Sequence, residues 1–128
     1  MTDGDPDVLT AAARGDAAAL EAALEQGADA NARDRWGASA LMHAAARGDL
    51  AAVELLLARG AGVNRTSDAG NSALMAAAAR GHKEVLTRLL DAGADPGHKN
   101  KWGISVDDWA GWPPNAAEVR ALLHAASE

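Results

Sequence analysis

An all-α fold, built as a stack of helix pairs along one axis, is predicted by three features of this sequence. The first is a set of glycine columns 33 residues apart: Gly15, Gly48 and Gly81; Gly27, Gly60 and Gly93; Gly4, Gly37, Gly70 and Gly103. A fixed period of this size marks a stacked repeat, because one short unit cannot bury its own apolar face and needs similar neighbours to do so. The second is that residues 34–66 laid over residues 67–99 agree at 14 of 33 positions. Apart from Arg47/Arg80, those positions are glycines, small or aliphatic core types, or serine caps. The third is the spacing of Val53, Leu56 and Leu57, and of Val85, Leu86, Leu89 and Leu90, which follows one buried helical stripe.

These features predict one domain, 1–128, in four units: an N-terminal cap over 1–33, full units over 34–66 and 67–99, and a C-terminal cap over 100–128. In the first unit the opening helix starts near Asp5-Pro6, since proline is tolerated at the first helical position. In the full units it starts at Ser39 and Ser72, whose hydroxyls are good N-caps. It ends at Gly15, Gly48 or Gly81. The second helix follows at once, capped by Asp16, Asp49 or His82, and runs to the next glycine, with Glu54, Lys83, Arg88 and Asp91 outward. An extended loop comes next. Its tip carries Arg35-Trp36, Asp68-Ala69 or Lys101-Trp102 and projects as a finger beside the first helices.

The last unit breaks the pattern. Pro113-Pro114 replaces the Arg-Gly helix end, and Asp107 stands in the column of Leu41 and Leu74. Either this helix is shifted in register, with Val106 in the core role, or it packs poorly there. Trp109 falls in the outward column of His43 and Ala76. Terminal repeats are atypical because their outer face meets water. Trp109 and Trp112 are therefore read either as a core covering the end of the stack or, for Trp109 with Trp102, as a ligand-facing patch.

The stretch Asp34, Gly37, Ser39, Ala40, Leu41, Met42, Ala44, Ala45, Gly48, Val53, Leu56, Leu57, Gly60, Ala61, Asn64 resembles an ankyrin repeat, a 33-residue unit of β-turn plus two helices centred on T-P-L-H-x-A. Ser39-Ala40-Leu41-Met42 and Ser72-Ala73-Leu74-Met75 stand where that tetrapeptide would be. Met in place of His removes a side-chain hydrogen bond to the loop, which implies looser turns. The resemblance covers nearly the whole chain and implies an ankyrin-repeat solenoid of helix-turn-helix units joined by β-turn finger loops. It also implies a protein-binding module whose contacts lie on the finger tips and the outward side of the first helices. By column those contacts are Arg35, Trp36, His43, Arg47, Asp68, Asn71, Arg80, Lys101, Trp102 and Trp109, beside Ala38, Ala69, Ala76 and Ile104. Trp and Arg are the types most enriched among interface hot spots. The other reading of Trp36 and Trp102 is that each folds back on its loop. If units stack about 10 Å apart, those two indoles lie about 20 Å from each other, with Ala69 between.

Composition narrows the remaining classes. With no Phe or Tyr, the core is made of alanine, leucine and valine, which suits short, closely approaching helices. The absence of cysteine removes disulfides, thiolate metal sites and thiol nucleophiles, and fits a reducing compartment. The acidic start, Met1-Thr2-Asp3-Gly4-Asp5, carries no secretory pattern, and no run of apolar residues is long enough to span a membrane. A soluble cytoplasmic protein is expected. The net charge of −6 is uneven: residues 35–101 carry +3 between acidic ends. That field can steer an acidic protein patch, but it is too weak for nucleic acid.

Chemistry is not expected. Asp107 and Asp108 are adjacent, and consecutive helical residues point in different directions; near a helix start they answer the macrodipole. His43, His82, His98 and His124 show no ligand spacing, so no metal or cofactor is expected. Of these, His43 is the contact candidate, and His98 sits in a solvated basic finger with Lys99 and Lys101. Arg47 and Arg80 close the first helices and are placed to pair with terminal carbonyls. The expected function is non-enzymatic: the chain, a monomer when free, binds a partner protein as an adaptor, inhibitor or immunity-type partner. Two alternatives stand beside it, small-ligand or carbohydrate binding on a Trp patch, and structural self-association.

Overall fold

The computed structural model of the protein describes residues 4–127, so the acidic start Met1-Thr2-Asp3 and the terminal Glu128 lie outside the described residues. Eight helices are found among those described: α1 Gly4–Arg14, α2 Ala17–Glu25, α3 Ala40–Arg47, α4 Leu50–Ala58, α5 Ala73–Arg80, α6 Lys83–Asp91, α7 Val106–Trp109 and α8 Ala116–Ser127. The only β pairing among them is three isolated bridges within the fingers.

Local chemistry sets the boundaries. The Ser39 and Ser72 hydroxyls accept from the Met42 and Met75 amides at 3.3 Å, starting α3 and α5. Both helices end on a glycine at φ 74, a left-handed conformation that only glycine adopts cheaply. The carboxylates of Asp16 and Asp49 then cap α2 and α4 by accepting from Ala19 and Ala52. His82 departs from the expectation for α6. It makes no side-chain cap; its ring turns to the preceding unit, where Nε2 meets the Ala46 carbonyl at 3.0 Å. The end of α3 gains a partner that the start of α6 forgoes.

The first helices pack on one another in a row, α3 against both α1 and α5, and α5 against α7. The second helices form the parallel row α2, α4, α6, α8. One continuous core runs from Val8 to Leu123. The first helices contribute small residues, with Ala12, Ala44, Ala45, Ala77 and Ala78 almost wholly enclosed, while Leu20, Val53, Leu56, Leu86 and Leu89 of the second helices fill the space between rows. Full burial of each such aliphatic side chain stabilises by about 1.5–3 kcal/mol. On the outer row Arg88 Nε donates to Glu54 at 2.8 Å, and Lys83 pairs with Glu118.

In the last unit Ser105 keeps the cap column and forms a reciprocal capping box with Asp108. Hydrogen bonds from the Ser105 amide and hydroxyl hold the Asp108 carboxyl below its ordinary range. Val106 is fully buried, so the cap register is kept while the core role moves to this residue. Asp107 turns instead to α8, with Oδ1 2.9 Å from His124 and 3.6 Å from Arg120. No helix among the described residues is long and apolar enough to cross a membrane.

Candidate functional site

Each finger is a tight hairpin closed by an antiparallel bridge: Arg33 with Ser39, Thr66 with Ser72, Lys99 with Ser105. The turn inside is organised by the column Asp34, Ser67, Asn100. Asp34 Oδ1 accepts from the Trp36 and Ala38 amides at 2.9 and 3.0 Å. Asn100 Oδ1 does the same for Trp102 and Ile104, both at 3.0 Å. Ser67 Oγ accepts from Asn71. Neighbouring fingers are also joined by backbone: the Asp68 amide donates to the Trp36 carbonyl at 3.0 Å, and the Lys101 amide to Ala69 at 3.1 Å. The turns lacking the family's histidine are thus tied by other side chains and by each other. His98, expected in a solvated finger, is half-buried, and its Nε2 lies 2.7 Å from the Gly70 carbonyl.

Side chains also bridge one unit to the next. Asn31 donates to Gly60 and accepts from Gly62, and Asn64 donates to Gly93 and accepts from Asp95. Arg47 Nη1 reaches the Ala13 carbonyl at 3.2 Å, and Asn115 Nδ2 reaches Gly81 at 3.0 Å. Arg47 therefore donates to one terminal carbonyl of the preceding helix α1, while Arg80 in the same column, exposed like Arg47, lines both grooves described below.

At the finger tips Trp36 and Trp102 are 64% and 72% exposed. The Arg35 guanidinium carbon lies 4.9 Å from the Trp36 ring centroid, a cation–π contact that fixes one face of the indole. Lys101 is exposed beside Trp102. Asp68 is within 3.5 Å of Arg33. Asn71, half-buried, accepts from Asn100 Nδ2.

Behind the fingers lies a groove of about 300 Å³, whose lining includes Ala38, Met42, His43, Asn71, Met75, Ala76, Arg80 and Trp109. The groove thus unites six of the expected contact residues, Ala38, His43, Asn71, Ala76, Arg80 and Trp109. A second groove holds Arg47 and Arg80 with His82, Pro113 and Pro114. Arg35, Trp36, Asp68, Lys101 and Trp102 belong to the finger rim and line neither. His43 Nε2 is 3.0 Å from Asp34 Oδ2. Burial pushes the Asp34 carboxyl up, but hydrogen bonds from His43 and from the Ala38 and Trp36 amides outweigh it and leave the group below its ordinary 3.8. Trp109 packs at 4.7 Å and 56° on Trp112 and is half-buried against the core; its Nε1 is buried with no acceptor. Trp112 is 69% exposed.

Sequence reasoning missed Met42 and Met75 as groove lining and the turn-organising roles of Asp34, Ser67 and Asn100. The signal for the latter was present: small oxygen-bearing side chains three residues before Gly37, Gly70 and Gly103, the types that accept turn amides.

Capped helix pairs, joined fingers and a 33-residue register coincide with a family model described as Ankyrin repeats (3 copies), which matches residues 8–100. The chain belongs to the ankyrin-repeat family. No curated protein matches the chain. Ankyrin repeats are modules of protein–protein interaction and are typically not enzymes. In this ankyrin-repeat protein α7 and α8 lie beyond the matched residues, and α7 supplies Trp109, which lines the groove.

Proposed function

We propose that this ankyrin-repeat protein is a non-enzymatic, cytoplasmic binding module that holds another protein on the side formed by its finger tips and first helices. The contacts are Arg35, Trp36 and Lys101-Trp102 at the rim, Asp68 and Asn71 on the middle finger, and His43, Arg47, Arg80 and Trp109 on the helices. The carrying observation is that Trp36 and Trp102 are 64% and 72% exposed on loops whose backbone is hydrogen-bonded within and between fingers. Large indoles held outward on a rigid frame lose little entropy on binding, so a few of them can dominate affinity. A stack of this length can offer about 800 Å² to a partner, the share of one side in a standard interface.

Affinity capture from the source cell, with the native chain and with Trp36→Ala/Trp102→Ala as baits, tests the reading. The double variant should lose the recovered protein while melting like the native chain; identical recovery from both baits removes the finger tips from the site. Sedimentation of the free chain should show a monomer across concentrations, and growth in size with concentration would favour self-association.

A further inference from the structure

The two grooves meet at Ala46, Ala79 and Arg80, and their linings differ in kind. The first is a mainly apolar slot lined by Met42, Met75, Ala76 and Trp109, with His43, Asn71 and Arg80 among its polar members. Thioether side chains adapt to the shape of what they receive, so this lining suits one large apolar side chain. The second is a shelf bearing Arg47, Arg80 and His82, with no carboxylate in its lining. Nor does the slot's lining contain one. Of the carboxylates beside it, Asp34 is engaged by His43 and two turn amides, Asp68 lies 3.5 Å from Arg33, and Asp108 closes the capping box with Ser105. Arg80 stands exposed at the junction, where a guanidinium can grip a carboxylate in a bidentate fork. Within residues 35–101 the fingers and first helices carry Arg35, Arg47, Arg80, Lys99 and Lys101 against the one acid Asp68, so this side is positive in a chain whose total is −6.

We propose, on the protein-binding reading above, that the segment this surface receives is acidic, with one bulky apolar side chain in the Met42–Met75–Trp109 slot and a carboxylate a few residues away on Arg80. Charge complementarity selects against other segments. A basic one would set its cations against Arg47 and Arg80 with no acid in the lining to receive them, and a wholly polar one would leave the slot unfilled.

A phage-displayed random peptide library selected on the immobilised full chain tests this, with Arg80→Glu and Ala76→Glu as parallel baits. Both variants are first checked by circular dichroism for native helix content and melting. Enriched sequences should place Asp or Glu within about four positions of Leu, Met, Phe or Trp, and a synthetic peptide of that sequence should bind Arg80→Glu about tenfold or more weakly. Ala76→Glu, which puts a carboxylate at the slot, should abolish binding. Neutral or basic enriched sequences, acidic ones indifferent to Arg80→Glu, or no enrichment at all would overturn the proposal. The underlying reading fails separately. If a cellular partner depends on Trp36 and Trp102 but ignores Arg80→Glu and Ala76→Glu, only the acidic segment is lost; if it ignores all four, the side formed by the fingers and first helices is lost as well.

Discussion

Asp34 shows how much a single side chain does in this stack. One carboxylate oxygen closes the first finger by accepting two amides, and the other meets His43 on α3. Because the folded carboxyl ionises below its ordinary 3.8, its stabilising effect is complete above that value and disappears as pH falls through the lower, folded one. Melting midpoints of the native chain and of Asp34→Asn, compared from pH ~5 downward, should therefore converge in acid, with the native advantage confined to higher pH. A constant gap between the two would mean that the finger gains nothing from the charge. This residue was visible in the sequence only as part of the family pattern. Its partners depend on which way the finger turns, and that is a property of three-dimensional contacts.

At the scale of the element, the first glycine column has two reasons to exist, and only one was legible. Helix termination at positive φ follows from position alone. The second reason is that a side chain of the next unit lies directly over each glycine: the Arg47 guanidinium over Gly15, the His82 ring over Gly48 and the Asn115 amide over Gly81. A Cβ on Gly48 would stand 2.6 Å from His82 Nδ1, disturbing the ring that holds the Ala46 carbonyl. Gly60, at φ 87, has nothing within 4 Å of such a Cβ. Gly48→Ala is accordingly expected to destabilise by about 2–3 kcal/mol, backbone strain plus a compromised hydrogen bond, and Gly60→Ala by about 1 kcal/mol. Urea unfolding of both variants measures the difference, and equal losses would reduce the column to its backbone role. The same contact explains why Arg47 and Arg80, identical in sequence column, diverge in structure. The place over Gly48 is taken by His82, so Arg80 does not cover that glycine as Arg47 covers Gly15.

For the whole molecule, burial is shared between units rather than contained within them. Val53 of α4 and Leu86 of α6 are both fully buried in one continuous core. Nearest-neighbour stacking of this kind predicts that damage in one unit is felt by all. Leu86→Ala should cost about 2–5 kcal/mol, Val53→Ala less, and each should lower the midpoint of a single cooperative loss of helical signal on heating. Two resolved transitions in either variant would show units unfolding independently.

The caps and apolar stripes were readable in the one-dimensional pattern because each depends on residues within a turn or two of each other, and the period because it recurs at a fixed 33-residue interval. Helix and finger positions belong to that class; that the Trp36 and Trp102 indoles are exposed rather than folded back came from the structure. The tertiary structure alone decided which side chains act between units: His82 and Arg47 on carbonyls of the preceding unit, Asp107 on α8, and Trp109 with Met42 and Met75 around one slot. A repeat fixes what recurs at each address, whereas the neighbour across a unit boundary is set by packing distances that no local pattern encodes.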